Sequence, residues 1–358
     1  MKNPTNKLIK VKLILSSILL LVIFACTPGN DSKKESQYKA ANQPKSLKQT
    51  KEDLLAGFTK AISYSGFRTG QHPDRGNGAV NPTDEEILED LNILTRDTNF
   101  GLIRLYDSQE NSESVLKIIR ANNIKMKVML GIWLDAEISN HEGCPWLNEP
   151  IPEDVLKKNK VKNKLEIERG IRLANEYKEI IVAVNVGNEA LVFWNDHMVE
   201  VDTMISYVKK VKNSIAQLVT VAENYDWWVK NGSQLVTEVD FVAVHSYPLW
   251  EGKDIDVGLS YTLENIQAVR NALPESRIVI SELGWATIAS EFGERASEEK
   301  QLQYYKEIYD WALKMNITTF WFEAFDEDWK GNPDNPIGAE KHWGLFTVDR
   351  KPKKVMQK

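Results

Sequence analysis

The stretch IVAVNVGNEALVFW, residues 181–194, decides how the chain is read. Residues 181–186 are mostly apolar and rich in β-branched side chains, and the run is short. That pattern suits a strand buried on both faces. Within one step the chain turns polar at Gly187-Asn188-Glu189, then apolar and aromatic again. A carboxylate at the mouth of a buried strand is costly to desolvate unless it is paired or put to use. Glu189 therefore marks both a strand end and a place to look for chemistry.

Working outward, the same grammar recurs. Further strands are predicted at 61–64, 102–106, 127–132, 218–222, 241–245, 278–281 and 318–322. Helical spacing fills the gaps. Thr83-Asp84-Glu85-Glu86 is a capping box ahead of Ile87, Leu91 and Leu94. Val115, Ile118 and Ile119 follow, then Ile167, Ile171 and Ala174, then Ile205, Val208 and Val211, and finally Leu302, Tyr305, Ile308, Tyr309 and Ala312. Eight β-then-α units within about 300 residues predict an α/β protein, a (β/α)8 TIM barrel forming a single catalytic domain over 51–358. An open doubly wound sheet is the alternative. It would want a glycine-rich phosphate turn after its first strand. Ser63-Tyr64-Ser65-Gly66-Phe67-Arg68 is not one. The third unit carries the longest insertion, 134–160, with Trp146 and three prolines, and is expected to form a lid or cleft wall.

Composition narrows the partners. The 358 residues are 42% hydrophobic and 27% charged, enough for a sizeable core. A net charge of −6 leaves no basic footprint for nucleic acid. The expectation is a monomer without metal or cofactor. The N-terminus reads as an address rather than fold. Lys2, Lys7, Lys10 and Lys12 precede an apolar run, 13–25, too short for a comfortable membrane span. It ends in Ile23-Phe24-Ala25-Cys26, which resembles the bacterial lipobox. Residues 1–26 are thus expected to be a lipoprotein signal with Cys26 as the lipid attachment, the alternative being an ordinary secretory signal with Cys26 incidental. Residues 27–50, rich in Lys, Ser, Asn and Gln, would be a flexible tether reaching about 25–30 Å. This puts the domain at a bacterial cell envelope, on the periplasmic or surface-exposed face of an outer membrane. The only other cysteine is Cys144, so no disulfide framework is possible if Cys26 carries lipid. In His141-Glu142-Gly143-Cys144 a free buried thiol is expected rather than a metal ligand.

In a barrel, catalysis lies at the C-terminal ends of strands. There the sequence sets Tyr64 and Arg68, Arg104 with Tyr106, Trp133, Asn188-Glu189, Glu223, His245 with Tyr247 and Trp250, Glu282 with Trp285, and Glu323 through Lys330. One rim gathers carboxylates, aromatics, an Asn and few cations. It holds no Ser-His-Asp pattern, no phosphate loop and no HExxH. Carboxylates between aromatic walls suit glycoside hydrolysis, with one acid and one nucleophile or base flanking the sugar bond. The fourth and seventh strands lie on opposite sides of an eight-stranded barrel, so Glu189 and Glu282 are expected to face each other across the mouth.

These residues resemble glycoside hydrolase family 17, the β-1,3-glucanase family, in its bacterial branch. Val186-Gly187-Asn188-Glu189 is similar to the family's V-G-N-E, and Ser281-Glu282-Leu283-Gly284-Trp285 to its T-E-T-G-W. The run from Phe322 to Lys330 is similar to F-E-A-F-D-E-P-W-K, Trp343-Gly344-Leu345-Phe346 to the closing F-G-L-F, and Ile62-Ser63-Tyr64-Ser65 to the first strand of the bacterial members. Ser281, Leu283, Asp328 and Trp343 depart from the pattern, as does His245-Ser246-Tyr247-Pro248, which bears on subsite preference rather than on the two glutamates.

The resemblance implies a retaining, endo-acting hydrolase of laminarin-type β-1,3-glucan. Glu189 would be the acid and then the base, protonated before attack, and Glu282 the ionised nucleophile. Asn188 would bond the sugar 2-OH. Tyr64 and Tyr247 would either position Glu282 or form buried wall. Glu327 and Lys330 match family positions that line the cleft, though as an exposed ion pair they would mean little. Arg104, inside a strand, would balance buried carboxylates. Trp133, Trp285 and Trp329 are candidates for sugar stacking, some of them structural. The rivals are a glucanosyltransferase with the same residues, an exo-acting glucanase, and a non-catalytic glycan-binding lipoprotein. The last predicts loss of one glutamate, and both are present.

Overall fold

The computed structural model describes residues 58–74 and 76–357. The signal segment, Cys26 and the tether 27–50 lie outside the described residues. Eight parallel strands close into a barrel in chain order: β1 Lys60–Ser63, β2 Leu102–Arg104, β3 Lys127–Ile132, β4 Ile181–Asn188, β5 Leu218–Asn224, β6 Val242–His245, β7 Ile278–Leu283 and β8 Thr319–Trp321. β8 pairs back onto β1, with Ala61 opposite Phe320. The interior is packed rather than hollow. Ala61, Ala183, Ala222 and Ala243 share it with the larger Leu102, Met129, Val279 and Phe320, all buried. Such a mix fills a barrel of this size. Each large side chain so buried contributes about 1.5–3 kcal/mol.

Helices wrap the outside: α1 Asp84–Asn92, α2 Glu110–Ala121, α3 Glu153–Glu176, α4 Val201–Lys212, α5 Tyr225–Asn231, α6 Ile255–Ala272 and α7 Glu298–Met315. The capping box at Thr83 forms as predicted. Its Oγ1 accepts from the Glu86 amide at 3.2 Å, and Glu86 Oε2 accepts from the Thr83 amide at 2.8 Å. Two details differ from expectation. The insertion after β3 ends at Pro152, because α3 already starts at Glu153. β8 is not followed by an α-helix among the described residues. The chain instead runs through short 3-10 turns at Ala339–Lys341 and Lys354–Met356. No described helix is long and apolar enough to cross a membrane.

The barrel's regular register breaks at two places that matter. Along β4, Asn185 pairs with Thr220 but Asn188 pairs with Ala222, so β4 carries one extra residue near its end. Along β7, Val244 faces Ile280 but His245 faces Glu282, again one extra residue. The same bulge shows against β8, where Ile280 faces Thr319 and Leu283 faces Trp321. A one-residue bulge flips the face on which following side chains emerge. Glu282, which strict alternation from Val279 would send outward, is thereby aimed into the mouth.

Candidate active site

β4 and β7 deliver the two glutamates to one imidazole. His245 Nδ1 lies 2.9 Å from Glu189 Oε1 and 3.5 Å from Glu282 Oε2. The two carboxylate oxygens are therefore separated by at most about 6.4 Å, these distances laid end to end. That bound admits the carboxyl separation of about 5–5.5 Å that retention uses. His245 itself is fully buried and ends β6.

The surroundings of the glutamates differ. Glu282 is gripped by four donors or cations. Arg104 Nη1 donates to Oε1 at 2.6 Å, Tyr106 Oη to Oε1 at 2.9 Å, and Tyr247 Oη to Oε2 at 2.7 Å, with His245 beside them. Burial pushes the Glu282 carboxyl up, but His245, Arg104 and the two hydroxyls outweigh it and hold the group below the usual carboxylate range. Burial, and then the charge of Glu282, push both tyrosine hydroxyls well above their ordinary range, so they remain donors. Glu189 is about one-fifth exposed, and among the described residues His245 is the one partner of its carboxyl. Its backbone is unusual, with φ +49°, in the left-handed region where non-glycine residues are uncommon. Gly187, two residues earlier, has φ +75°, and a Cβ there would meet Met204 Cε at 2.7 Å. The Val-Gly-Asn-Glu motif is thus the bulged end of β4, where the positive φ of Gly187 is one that glycine takes without steric cost.

Arg104 organises the floor. It is fully buried, also donates to the Ser281 carbonyl at 3.1 Å, and takes the Asn188 Oδ1 with its other nitrogen. That fixes which way the Asn188 amide sits, with its NH2 turned from the guanidinium. Tyr106 and Tyr247 complete the wall. The Arg104 guanidinium lies 4.6 Å over the Tyr106 ring, and Tyr247 packs edge-on against Phe322 and Trp343.

Of the residues singled out in the sequence, Glu189, Glu282, Asn188, Arg104 and Tyr247 converge here. Tyr64 does not. It is the buried wall, its hydroxyl 3.2 Å from Asp90 Oδ2, in a cluster where Arg350 and Arg68 neutralise that aspartate. Trp285 is also corrected as a stacking candidate. It is 0% exposed, gives its indole N–H to the Arg295 carbonyl and packs on Tyr304, so it has no face for a sugar. Trp133 is half-buried and lies on the His197 ring at 4.5 Å. Trp329 is half-buried, edge-on to Phe67. Glu327 and Lys330 are not an exposed pair. Glu327 is buried, and Lys330 Nζ lies 2.8 Å from it while also bonding Glu323. Burial works against the Lys330 ammonium, but the adjoining Glu323 and Glu327 outweigh it and hold its pKa above the ordinary lysine range. Cys144 is a free buried thiol, and the described residues hold no cluster of potential metal ligands.

Tyr106 and His245 were visible as strand-end residues but not assigned roles. The signal was the period of two. Arg104 with Tyr106, and His245 with Tyr247, each share one face of their strand.

The sequence model of the BtgE/BtgC glycoside hydrolase domain matches residues 61–344. A glucan 1,3-beta-glucosidase of Arthroderma benhamiae is 27% identical over 265 residues, covering 70% of this chain and 78% of that protein. A probable glucan endo-1,3-beta-glucosidase of Aspergillus terreus is 28% identical over 295 residues, covering 75% of this chain but 41% of its own length. The chain thus spans about two-fifths of that longer relative. Among solved structures, an endo-laminarinase from Formosa superposes with a TM-score of 0.72 at 28% identity, covering 86% of this chain and 88% of the other.

Proposed function

The chain belongs to the BtgE/BtgC glycoside hydrolase domain family, and from that premise we propose that it is a retaining, endo-acting hydrolase of laminarin-type β-1,3-glucan. The observation that carries the reading is the pair of glutamates held within reach of one imidazole at the mouth of the barrel. The names of its relatives supply the substrate class.

The mechanism follows from the unequal environments. Glu282, held ionised and aimed by Arg104, Tyr106 and Tyr247, attacks the anomeric carbon. Glu189 gives its proton to the departing glycosidic oxygen, so the bond breaks as the glycosyl–Glu282 ester forms. Water then enters on the side vacated by the leaving sugar. Glu189 takes its proton, and the ester opens with configuration retained. The Asn188 NH2 donates to the sugar 2-OH. Trp133 and Trp329, the half-buried indoles, are the stacking faces. Glu327 and Lys330 close the cleft floor beside Phe322.

Product analysis on laminarin, curdlan, mixed-linkage glucan and cellulose tests this reading. A ladder of laminari-oligosaccharides is expected. Glucose alone would mean exo attack, products longer than the substrate would mean transfer, and no cleavage of any β-1,3-glucan would overturn the proposal.

The grip on Glu282 has a pH signature. Tyr247→Phe removes a donor that favours the charged form, so the carboxyl pKa rises and the nucleophile is lost at a higher pH. The acid limb of kcat/KM is expected to move upward, with a loss of about tenfold at the optimum, as for a hydrogen bond to a charged group. A pH–rate profile with an unmoved acid limb contradicts this.

The reading extends to location. The lipobox-like run ending in Cys26 supports an envelope lipoprotein. Cys26→Ala in a bacterial host is expected to abolish palmitate labelling and to shift the protein from the detergent to the aqueous phase on Triton X-114 partition. Unchanged partition contradicts the anchor.

A further inference from the structure

We propose that Glu223, at the end of β5, is the positioning residue that holds Glu189 in its left-handed backbone conformation and so aims the acid/base carboxyl. The inference rests on the function proposed above. Glu223 is 0% exposed and projects away from the barrel interior, since its neighbour Ala222 belongs to the interior cluster. Its Oε1 accepts the Leu191 amide at 3.0 Å, and the Ala190 amide lies against the same carboxyl. These are the two peptide groups immediately after Glu189. Both residues are buried, so without Glu223 the Leu191 amide would lose its acceptor in a dry site.

The rest of the Glu189 backbone is tied as well. Its amide donates to the Ala222 carbonyl at 2.8 Å, and its carbonyl accepts from Asn195 Nδ2 at 3.2 Å. A non-glycine residue at positive φ costs about 1–3 kcal/mol and persists only where surrounding contacts over-determine it. The first two ties come from ordinary neighbours, a strand and an amide. The third comes from a carboxyl group in a place where an apolar side chain would pack more cheaply. Burial, and then the nearness of the Glu189 carboxyl, push that group above its ordinary range. Its second oxygen, Oε2, has no hydrogen-bond partner.

A misaimed acid leaves a trace that general loosening does not. It slows substrates whose leaving group needs a proton and spares those whose leaving group does not. The test compares kcat/KM, which reports the bond-breaking step, on laminaritetraose and on 2,4-dinitrophenyl β-laminaribioside. Glu223→Leu keeps volume but removes the acceptor. It is expected to lose about 10²-fold on laminaritetraose and less than about threefold on the aryl glycoside. Glu223→Asp, a smaller disturbance that draws the oxygen back from Leu191, should show the same split if the leucine variant does not fold. Glu223→Gln keeps an acceptor oxygen and is expected to restore laminaritetraose cleavage to within about threefold of the wild type. Equal losses on both substrates, or no loss in either the Leu or the Asp variant, overturn the role of Glu223 while leaving the hydrolase reading standing. A wild-type enzyme that cleaves neither substrate takes both down.

Discussion

Glu282→Gln is expected to lower kcat/KM on laminari-oligosaccharides by at least about 10⁴-fold, because an amide cannot form the covalent intermediate on which the two-step route depends. The change is nearly isosteric, and Arg104 keeps the Ser281 carbonyl and Asn188 Oδ1 as acceptors, so the barrel should remain folded. Circular dichroism checks the fold, and reducing-sugar release checks the activity. The native carboxylate is held below the usual range, so whatever stability it contributes is present above the ordinary glutamate pKa. That stability is lost as pH falls through the lower folded value. The glutamine variant should therefore show a flatter acid limb in its denaturation profile. Residual activity above about one part in a hundred would remove Glu282 from the mechanism.

Glu189→Gly is expected to be the second-largest loss and the more informative one. Glycine takes φ +49° without steric cost, so this substitution removes the carboxyl while relieving backbone strain at the same site. Cleavage of laminaritetraose should fall by about 10²–10⁴-fold, the usual worth of a positioned acid. A 2,4-dinitrophenyl glycoside needs no protonation, so its glycosylation step should persist and the glycosyl–Glu282 ester should accumulate. Azide then fits the space left by the side chain and displaces Glu282 from the anomeric carbon, giving a β-glycosyl azide and free carboxylate. Proton NMR of the product reads the configuration. An α-azide, or equal losses on both substrates, contradicts the assignment of Glu189.

Much of this was legible in the sequence, and the reasons are physical. Parallel strands buried on both faces write themselves as short β-branched runs, and all eight observed strands fall on predicted ones within about two residues. The Thr83 capping box was equally plain, being local chemistry. Strand-end glutamates were found because a charge after an apolar run is conspicuous. What escaped depended on three-dimensional register. Ser63 pairs with Arg104, so Tyr64, one residue on, emerges on the face away from the mouth and meets Asp90, whereas Tyr106, two residues past Arg104, reaches Glu282; that register between strands is not written in either segment alone. Trp285 sits three residues beyond the nucleophile, yet Gly284 lets the chain pass so close to the Phe322 carbonyl that a Cβ would approach it to 2.2 Å. The indole is carried inward to Tyr304 instead of lining the cleft. The bulges on β4 and β7 are likewise invisible in periodicity, though they decide which residues face the mouth. The want of a helix after β8 among the described residues and the contact of Glu223 with the Leu191 amide belong to the same class, set by packing partners far away in the chain.

The central claim is that Glu282 becomes covalently bound to a β-1,3-linked glucosyl unit. The most direct measurement is peptide mapping by mass spectrometry after incubation with 2,4-dinitrophenyl 2-deoxy-2-fluoro-β-laminaribioside, whose 2-fluoro group slows turnover of the ester. One equivalent of fluoro-laminaribiosyl is expected on the peptide that contains Glu282, absent in Glu282→Gln and released on adding laminaribiose as acceptor. Label on another carboxylate, or none while the enzyme goes on cleaving laminarin, would contradict the claim.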